Sequence, residues 1–512
     1  MSGEVFPSGR QAAVILMSED TQSYTFVPSS PGTSLSGSDY SEGIAQAVDF
    51  TQDANFKAAP AQESPAFVLP VGTQPELKND GLPTPAPPET LGETGITEST
   101  IEQLIIKQLY FKGEAMGREI ASSLGFKYSV IETLMDTLKR NHLISAKRSM
   151  GMGNISTVFA LSEAGRKLAQ QYLEVNSYAG YAPVSLEEYS ELVRLQRLEP
   201  GWLTKEALHA AYRHMVVSEE ILSQIGPAVN SGKSFLIYGQ PGNGKTYLAE
   251  SLFNIQTSPI YIPYAIECQG QIIQIYDPVY HQPLDSPVES LSILASAVDA
   301  DFQYDRRYFR SKRPFITTGG ELNLSQLDLS FNSSSRVYDA PFQLKANNGI
   351  YLIDDFGRQQ VTPAEVLNRW IVPMERKIDY LNFQQGGKIT VPFECFLVFS
   401  TNLNPDDLGD EAFLRRIQYK MFLPSPGEAE FAEIFEQYCK KLDLPFTPNI
   451  VGKFLTKFYR GGKKKMRRCH PRDVLTHAVD IIRFERLSWE LTEEVLDHAF
   501  RSCFTTVAHT TD

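Results

Sequence analysis

Gly239-Gln240-Pro241-Gly242-Asn243-Gly244-Lys245-Thr246 is a G-x-x-x-x-G-K-T run. Glycines at these positions let a loop curl until its N–H groups surround an anion. A lysine ammonium there neutralises phosphate oxygens, and the hydroxyl that follows it suits Mg2+. The run has a context that fits this chemistry. Ser234–Tyr238 is a short apolar stretch of buried-strand pattern, and Tyr247–Phe253 has a helical pattern. A helix starting at the loop would aim its positive end at the same anion. We therefore expect ATP at Gly239–Thr246 and Tyr247, with Lys245 on the β- and γ-phosphates and Thr246 on Mg2+.

A nucleotide site needs acid nearby. Gly349–Ile353 is apolar apart from its first residue and runs into Asp354-Asp355. Asp354 would hold the water shell of Mg2+, and Asp355 would polarise an attacking water. A third apolar run, Cys395–Ser400, ends in Thr401-Asn402. Asn402 would orient water or the γ-phosphate, although asparagine is equally a turn residue. Three apolar strand patterns, each delivering polar groups at its end, are together much less accidental than any one alone.

The rest of the chain must carry and serve that sheet. Of 512 residues, 42% are hydrophobic and 21% charged, enough for two to four ordinary cores. The net charge of −13 is uneven: residues 1–98 hold 13 acidic and 3 basic side chains, or −10. With 11 of the 31 prolines as well, 1–98 reads as a disordered acidic tail. Residues 99–173 read as three helices and a β-hairpin: a helix capped by Ser99 and Thr100, a second over Ala115–Leu124, and a third over Ser129–Asn141. A strand at Ser156–Leu161 and a last helix from Ser162 to Leu173 follow. This order resembles a winged-helix domain. Its charge is +4, from 10 basic and 6 acidic residues. Lys127, Lys139, Arg140, Lys147 and Arg148 would suit phosphates, whereas Glu132 and Asp136 on the third helix would repel them. DNA and protein docking both stay open for this domain. Residues 174–200 read as linker helices, and the family resemblance given next implies an ATP-binding core at 201–423 and a helical lid at 424–512. Ile260–Asp277 reads as paired strands turning at Gln269-Gly270, a hairpin inserted after the second core strand.

From Gly201 to Phe504 the ordered series of motifs resembles the AAA+ ATPase family. Gly239–Thr246 is similar to Walker A, Ile350–Asp355 to Walker B, and Ser400–Pro405 to sensor 1 with Asn402 as its polar residue. Asp410–Ile417 resembles the helix that ends in an arginine finger, and Cys469–Leu475 the start of the sensor 2 helix. The resemblance implies that Arg415 or Arg416 reaches a neighbour's γ-phosphate, that Arg472 acts on its own subunit's nucleotide, and that subunits close into a ring such as a hexamer. Ala340–Gly349 resembles the same stretch in bacterial enhancer-binding activators, although their sigma-factor-contacting loop is not recognisable. One position departs from the family: its usual catalytic carboxylate after the magnesium aspartate is Glu, and here it is Asp355.

Five cysteines without a Cys-x-x-Cys pair argue against a zinc ribbon, and no apolar run reaches membrane-spanning length. We expect a cytoplasmic α/β protein: a P-loop AAA+ core with a parallel sheet and a small helical lid, preceded by a winged-helix domain and a disordered tail. Its expected function is ATP hydrolysis between ring subunits to remodel a protein partner. A DNA-associated regulator using residues 99–173 and a slow nucleotide-dependent scaffold are the alternatives. The basic run Lys463–Arg468 reads as a solvated face, or as a seat for nucleic acid or the acidic tail.

Overall fold

The computed structural model describes residues 76–77, 83–149, 153–199, 201–255, 258–284, 303–408, 414–462 and 464–504. The chain divides into two compact units, Met1–Leu69 and Pro70–Asp512. The first lies outside the described residues, and so does most of the tail read as disordered. The described end of that tail is packed. Thr84 and Thr94 are buried, Asp305 donates its N–H to Pro85 O at 2.8 Å, and Arg307 Nη1 donates to Thr94 O. Proline fixes φ in advance and keeps its carbonyl as an acceptor, so a Pro-rich segment can lie as an extended strap at low entropic cost.

Five parallel strands form the central sheet: β1 (Phe235–Tyr238), β2 (Phe315–Thr318), β3 (Ile350–Ile353), β4 (Phe396–Thr401) and β5 (Tyr419–Phe422). Their spatial order is β2-β3-β4-β1-β5. The sheet is buried on both faces, which explains apolar runs without polar alternation. Side chains still alternate with period two. Phe235, Ile237, Ile350, Leu352 and Val398 pack with helices Lys205–Tyr212 and Glu219–Ser231. Leu236, Tyr351, Ile353, Leu397 and Phe399 pack with helix Pro363–Arg376, where Trp370 is fully buried. The fold is thus α/β with a parallel sheet, as expected. Because β4 lies between β1 and β3, the chain leaves three adjacent strands at one edge of the sheet: into the glycine loop, the paired aspartates and Asn402.

A second layer grows out of this core. Strands Ser330–Asn332, Val337–Asp339, Gln271–Gln274, Ala265–Cys268 and Val184–Ser185 form a mixed sheet in that order. The hairpin expected in Ile260–Asp277 is there, with Gln269 at φ 54° and Gly270 at φ 74°. Its place differs from the expectation, since it precedes β2 instead of following it. Ile260–Pro263 pairs antiparallel with Tyr308–Ser311, outside the parallel sheet. An apolar tetrapeptide marks a strand but does not say which sheet receives it.

Residues 174–200 also differ from a linker. Helix Leu186–Leu195, capped by Ser185 with Glu188 answering, buries Tyr189, Leu192 and Val193 in the core of this second layer. Arg313, which is buried, ties the layers together by donating to Asn348 O at 2.7 Å and Gln196 O at 3.0 Å. A second hairpin, Ile378–Asn382 with Lys388–Pro392, packs Leu381 and Val391 into the same core.

Helices Glu98–Lys112, Gly117–Leu124 and Tyr128–Arg140 pack around Ile105, Ile120, Ile131 and Leu134. The first is capped by Thr97, not by Ser99 or Thr100. The second starts at Gly117, because Glu114–Met116 forms the outer strand of an antiparallel sheet with Thr157–Leu161 and Ile144–Ser149. Glu163–Val175 closes this region under a Ser162 cap.

At the other end, helices Glu428–Lys441, Pro448–Phe458, His470–Glu485 and Glu493–Cys503 enclose a separate core built on Phe431, Phe454, Val474 and Phe500. Among the described residues no helix is long and apolar enough to cross a membrane, and all five cysteines are free thiols.

Candidate nucleotide site

The glycine loop emerges from β1 and ends at helix Lys245–Glu250, which continues as the tighter turn Ser251–Asn254. Gly239, Gly242 and Gly244 have φ of 150°, 78° and 82°, conformations that a side chain opposes. Two of them also have no room. A Cβ at Gly239 would lie 2.6 Å from Leu423 O, and one at Gly242 would lie 2.7 Å from Cys469 Sγ. Asn243 is fully buried and donates to Leu423 O at 3.4 Å, which fixes the loop to the chain after β5.

Inside the loop, Lys245 is 6% exposed, and its ammonium donates to Gln240 O at 3.2 Å and to Asn402 Oδ1 at 2.6 Å. Burial lowers its pKa; Asp355 and Asp354 oppose the shift, and Arg467 adds to it. Thr246 Oγ1 donates to Asp354 at 3.0 Å and 2.8 Å, one distance to each carboxylate oxygen. Asn402 Nδ2 donates to Asp355 Oδ1 at 2.8 Å. The amide orientation follows from its partners, because only its oxygen can accept from a lysine and only its nitrogen can donate to a carboxylate. Lys245, Thr246, Asp354, Asp355 and Asn402, expected together from three separate segments, thus meet through direct hydrogen bonds.

The arginines fare differently. Arg472, in the first turn of helix His470–Glu485, pairs with its neighbour Asp473 at 2.8 Å and is half exposed. Arg415 is exposed, and Arg416 pairs with Glu375 at 3.2 Å. Residues 409–413, which include the first half of the Asp410–Ile417 stretch expected to carry them, lie outside the described residues. Tyr247 is half exposed and meets His214 edge-on at 5.4 Å.

Sequence reasoning passed over Arg467. Its Nη1 donates to Ser425 Oγ at 2.9 Å and its Nη2 to Gln240 Oε1 at 3.3 Å, so it lies on the glycine loop. Two residues later Cys469 donates its N–H to Gly242 O at 2.9 Å. Arg468 is buried and donates to Val216 O and Glu430. Lys464 lies 3.5 Å over the Phe504 ring. Lys463 lies outside the described residues. Three of the described cations of the basic run, Lys464, Arg467 and Arg468, are therefore engaged within the chain.

The residues fit Mg2+ and a nucleoside triphosphate. Three glycines shape the loop, a buried ammonium stands at its end, and a hydroxyl beside it faces a carboxylate. Thr246 and Asp354 would hold the metal directly and through its water shell.

Residues 427–502, the helical region beyond the sheet, match a domain of unknown function, DUF8689. No curated protein sequence matches the chain. Among solved structures the chain is similar to NtrX from Brucella abortus, at 12% identity and TM-score 0.34, over 56% of this chain and 55% of that one. The match thus spans little more than half of NtrX. Two RuvB variants from Thermotoga maritima align at 12% and 13% identity with TM-scores of 0.32 and 0.30. They cover 56% and 62% of this chain, and 69% and 72% of theirs.

Proposed function

We propose that this chain is an ATPase of the AAA+ type, which binds ATP with Mg2+ at Gly239–Thr246, hydrolyses it at Asp355, and uses turnover in a homo-oligomeric ring to remodel a protein partner. One observation carries this reading: Lys245, Asn402 and Asp355 form a continuous hydrogen-bonded chain beside the Thr246–Asp354 pair. A general carboxylate cluster would not place a buried ammonium between a glycine loop and a water-polarising acid.

Lys245 would hold the β- and γ-phosphate oxygens. Asp355 would orient the attacking water and draw on its proton while Asn402 fixes the geometry of both. Bound Mg2+ would supply charge stabilisation for the transferring group. Arg472 would reach the nucleotide only by giving up Asp473, and Arg416 would reach a neighbour only by giving up Glu375. Those exchanges would couple nucleotide state to lid angle and subunit contact.

A slow nucleotide switch is the second reading, and Asp355 favours it. Its side chain is one methylene shorter than Glu, and one of its oxygens is already taken by Asn402.

The test is ATP turnover per subunit against protein concentration, with and without duplex DNA. A rate that rises with concentration supports a site completed between subunits. DNA stimulation moves the reading toward a DNA-associated regulator working through residues 99–173. Tight ATP binding with a flat, near-zero rate leaves the switch.

A further inference from the structure

The turn that carries Asp355 is held by a residue beyond the Ile350–Asp355 stretch. Asp355 has φ 48°, in the left-handed region, where aspartate is tolerated but disfavoured. The peptide plane that sets this φ contains the Asp354 carbonyl. Gln359 donates its Nε2 to that carbonyl at 2.8 Å, and its Oε1 accepts from Gly357 N–H at 2.8 Å. One side-chain amide thus grips the backbone on both sides of Asp355. The base of the turn is pinned to β4 by Phe356 N–H on Ser400 O at 2.7 Å and by Thr401 Oγ1 on Phe356 O at 2.6 Å. Gly357 has φ 102°, and a Cβ there would lie 2.7 Å from Leu403. Backbone groups on both sides of Asp355 are therefore directed, and among the described residues Gln359 is the only side chain that directs two of them.

We propose that Gln359 is the positioning residue for Asp355: it holds a short carboxylate in a left-handed turn so that the carboxylate meets Asn402 and the attacking water. This rests on the hydrolytic reading above. Gln359 does not touch the nucleotide in this role. Its loss should lower the hydrolysis rate without lowering affinity, and only while Asp355 is present.

The experiment uses the full chain as wild type, Gln359→Ala, Gln359→Glu, Asp355→Ala and the double variant Gln359→Ala/Asp355→Ala. A fluorescent ATP analogue reads affinity, and single-turnover phosphate release reads the chemical step. We expect affinities within about threefold throughout. Release should fall at least about tenfold in Gln359→Ala. Gln359→Glu keeps the acceptor for Gly357 but sets a carboxylate against the Asp354 carbonyl, so it should fall as well. In the Asp355→Ala background the second change should cost nothing further. A Gln359→Ala chain that binds ATP and releases phosphate at the wild-type rate overturns the proposal, and so does a loss that multiplies in the double variant. A purely structural role would lower affinity and rate together in both Gln359 variants, and that pattern also overturns it. Wild-type chain that binds ATP and releases no phosphate overturns the hydrolytic reading first, and this role with it.

Discussion

The side-chain amide of Asn402 donates to the Asp355 carboxylate across 2.8 Å, while its oxygen receives the Lys245 ammonium at 2.6 Å. Asn402, which follows β4, thereby contacts both the cation and the acid of the proposed site. Under the proposed function ATP would draw Lys245 onto its phosphates, and the Asn402 oxygen would lose its charged donor and need another in the site.

Asn402→Ala should therefore separate binding from chemistry. We expect ATP affinity to change by no more than a few-fold, because Lys245 and the loop remain. The hydrolysis rate should fall about 100-fold, as it does when one oriented polar group is removed from a reacting centre. Equilibrium titration beside phosphate release checks this. A parallel loss of affinity and rate would instead make Asn402 a binding residue.

Arg467 should contribute more to nucleotide affinity than Arg472. Its guanidinium lies on Gln240 and Ser425 at the edge of the loop, whereas Arg472 is engaged with Asp473. We expect Arg467→Ala to weaken ATP binding about tenfold through the loss of a charge-assisted contact, and Arg472→Ala to weaken it less. Calorimetric titration of both variants at moderate salt decides. The reverse order would show that lid closure exchanges the two arginines.

His470 should make the helical lid sensitive to acid. Its Nδ1 shares a hydrogen bond with Tyr459 OH at 2.9 Å, and burial pushes its pKa down to about 4. The unfolded chain takes up a proton near pH 6.5, and the folded lid does so only near pH 4. Stability from the neutral imidazole is therefore complete above pH 6.5 and is lost as pH falls toward 4. Between pH 7 and pH 5 the loss should be about 2 kcal/mol. Hydrogen exchange of helix His470–Glu485 at the two pH values should show it, and His470→Gln should remove most of the difference.

The parts legible in the sequence are those in which chemistry and chain order coincide. Gly239–Thr246 is legible because eight consecutive residues form one loop pattern, and Asp354, Asp355 and Asn402 because they follow apolar runs. The roles of Arg467 and Gln359 were not legible. Each acts through geometry created by distant segments, and locally one is a charge in a basic run and the other an amide after a turn. The second layer was hidden for the same reason. Val184, Ile266, Phe309, Tyr338 and Leu381 share a core although they come from five separate stretches, and no local periodicity says that they should meet. The strap at Pro83–Thr94 shows the opposite error, since a composition typical of disorder is also that of an extended segment tied down by its carbonyls.

The most direct measurement follows labelled ATP with Mg2+ through a single turnover, with the chain in excess, for wild type and Asp355→Asn. We expect wild type to convert bound ATP to ADP and phosphate. Asp355→Asn should bind ATP equally well and leave it intact at least about 100-fold longer. Wild type that holds ATP unchanged at every protein concentration, or Asp355→Asn that cleaves it as fast as wild type, would contradict a hydrolytic site centred on Asp355.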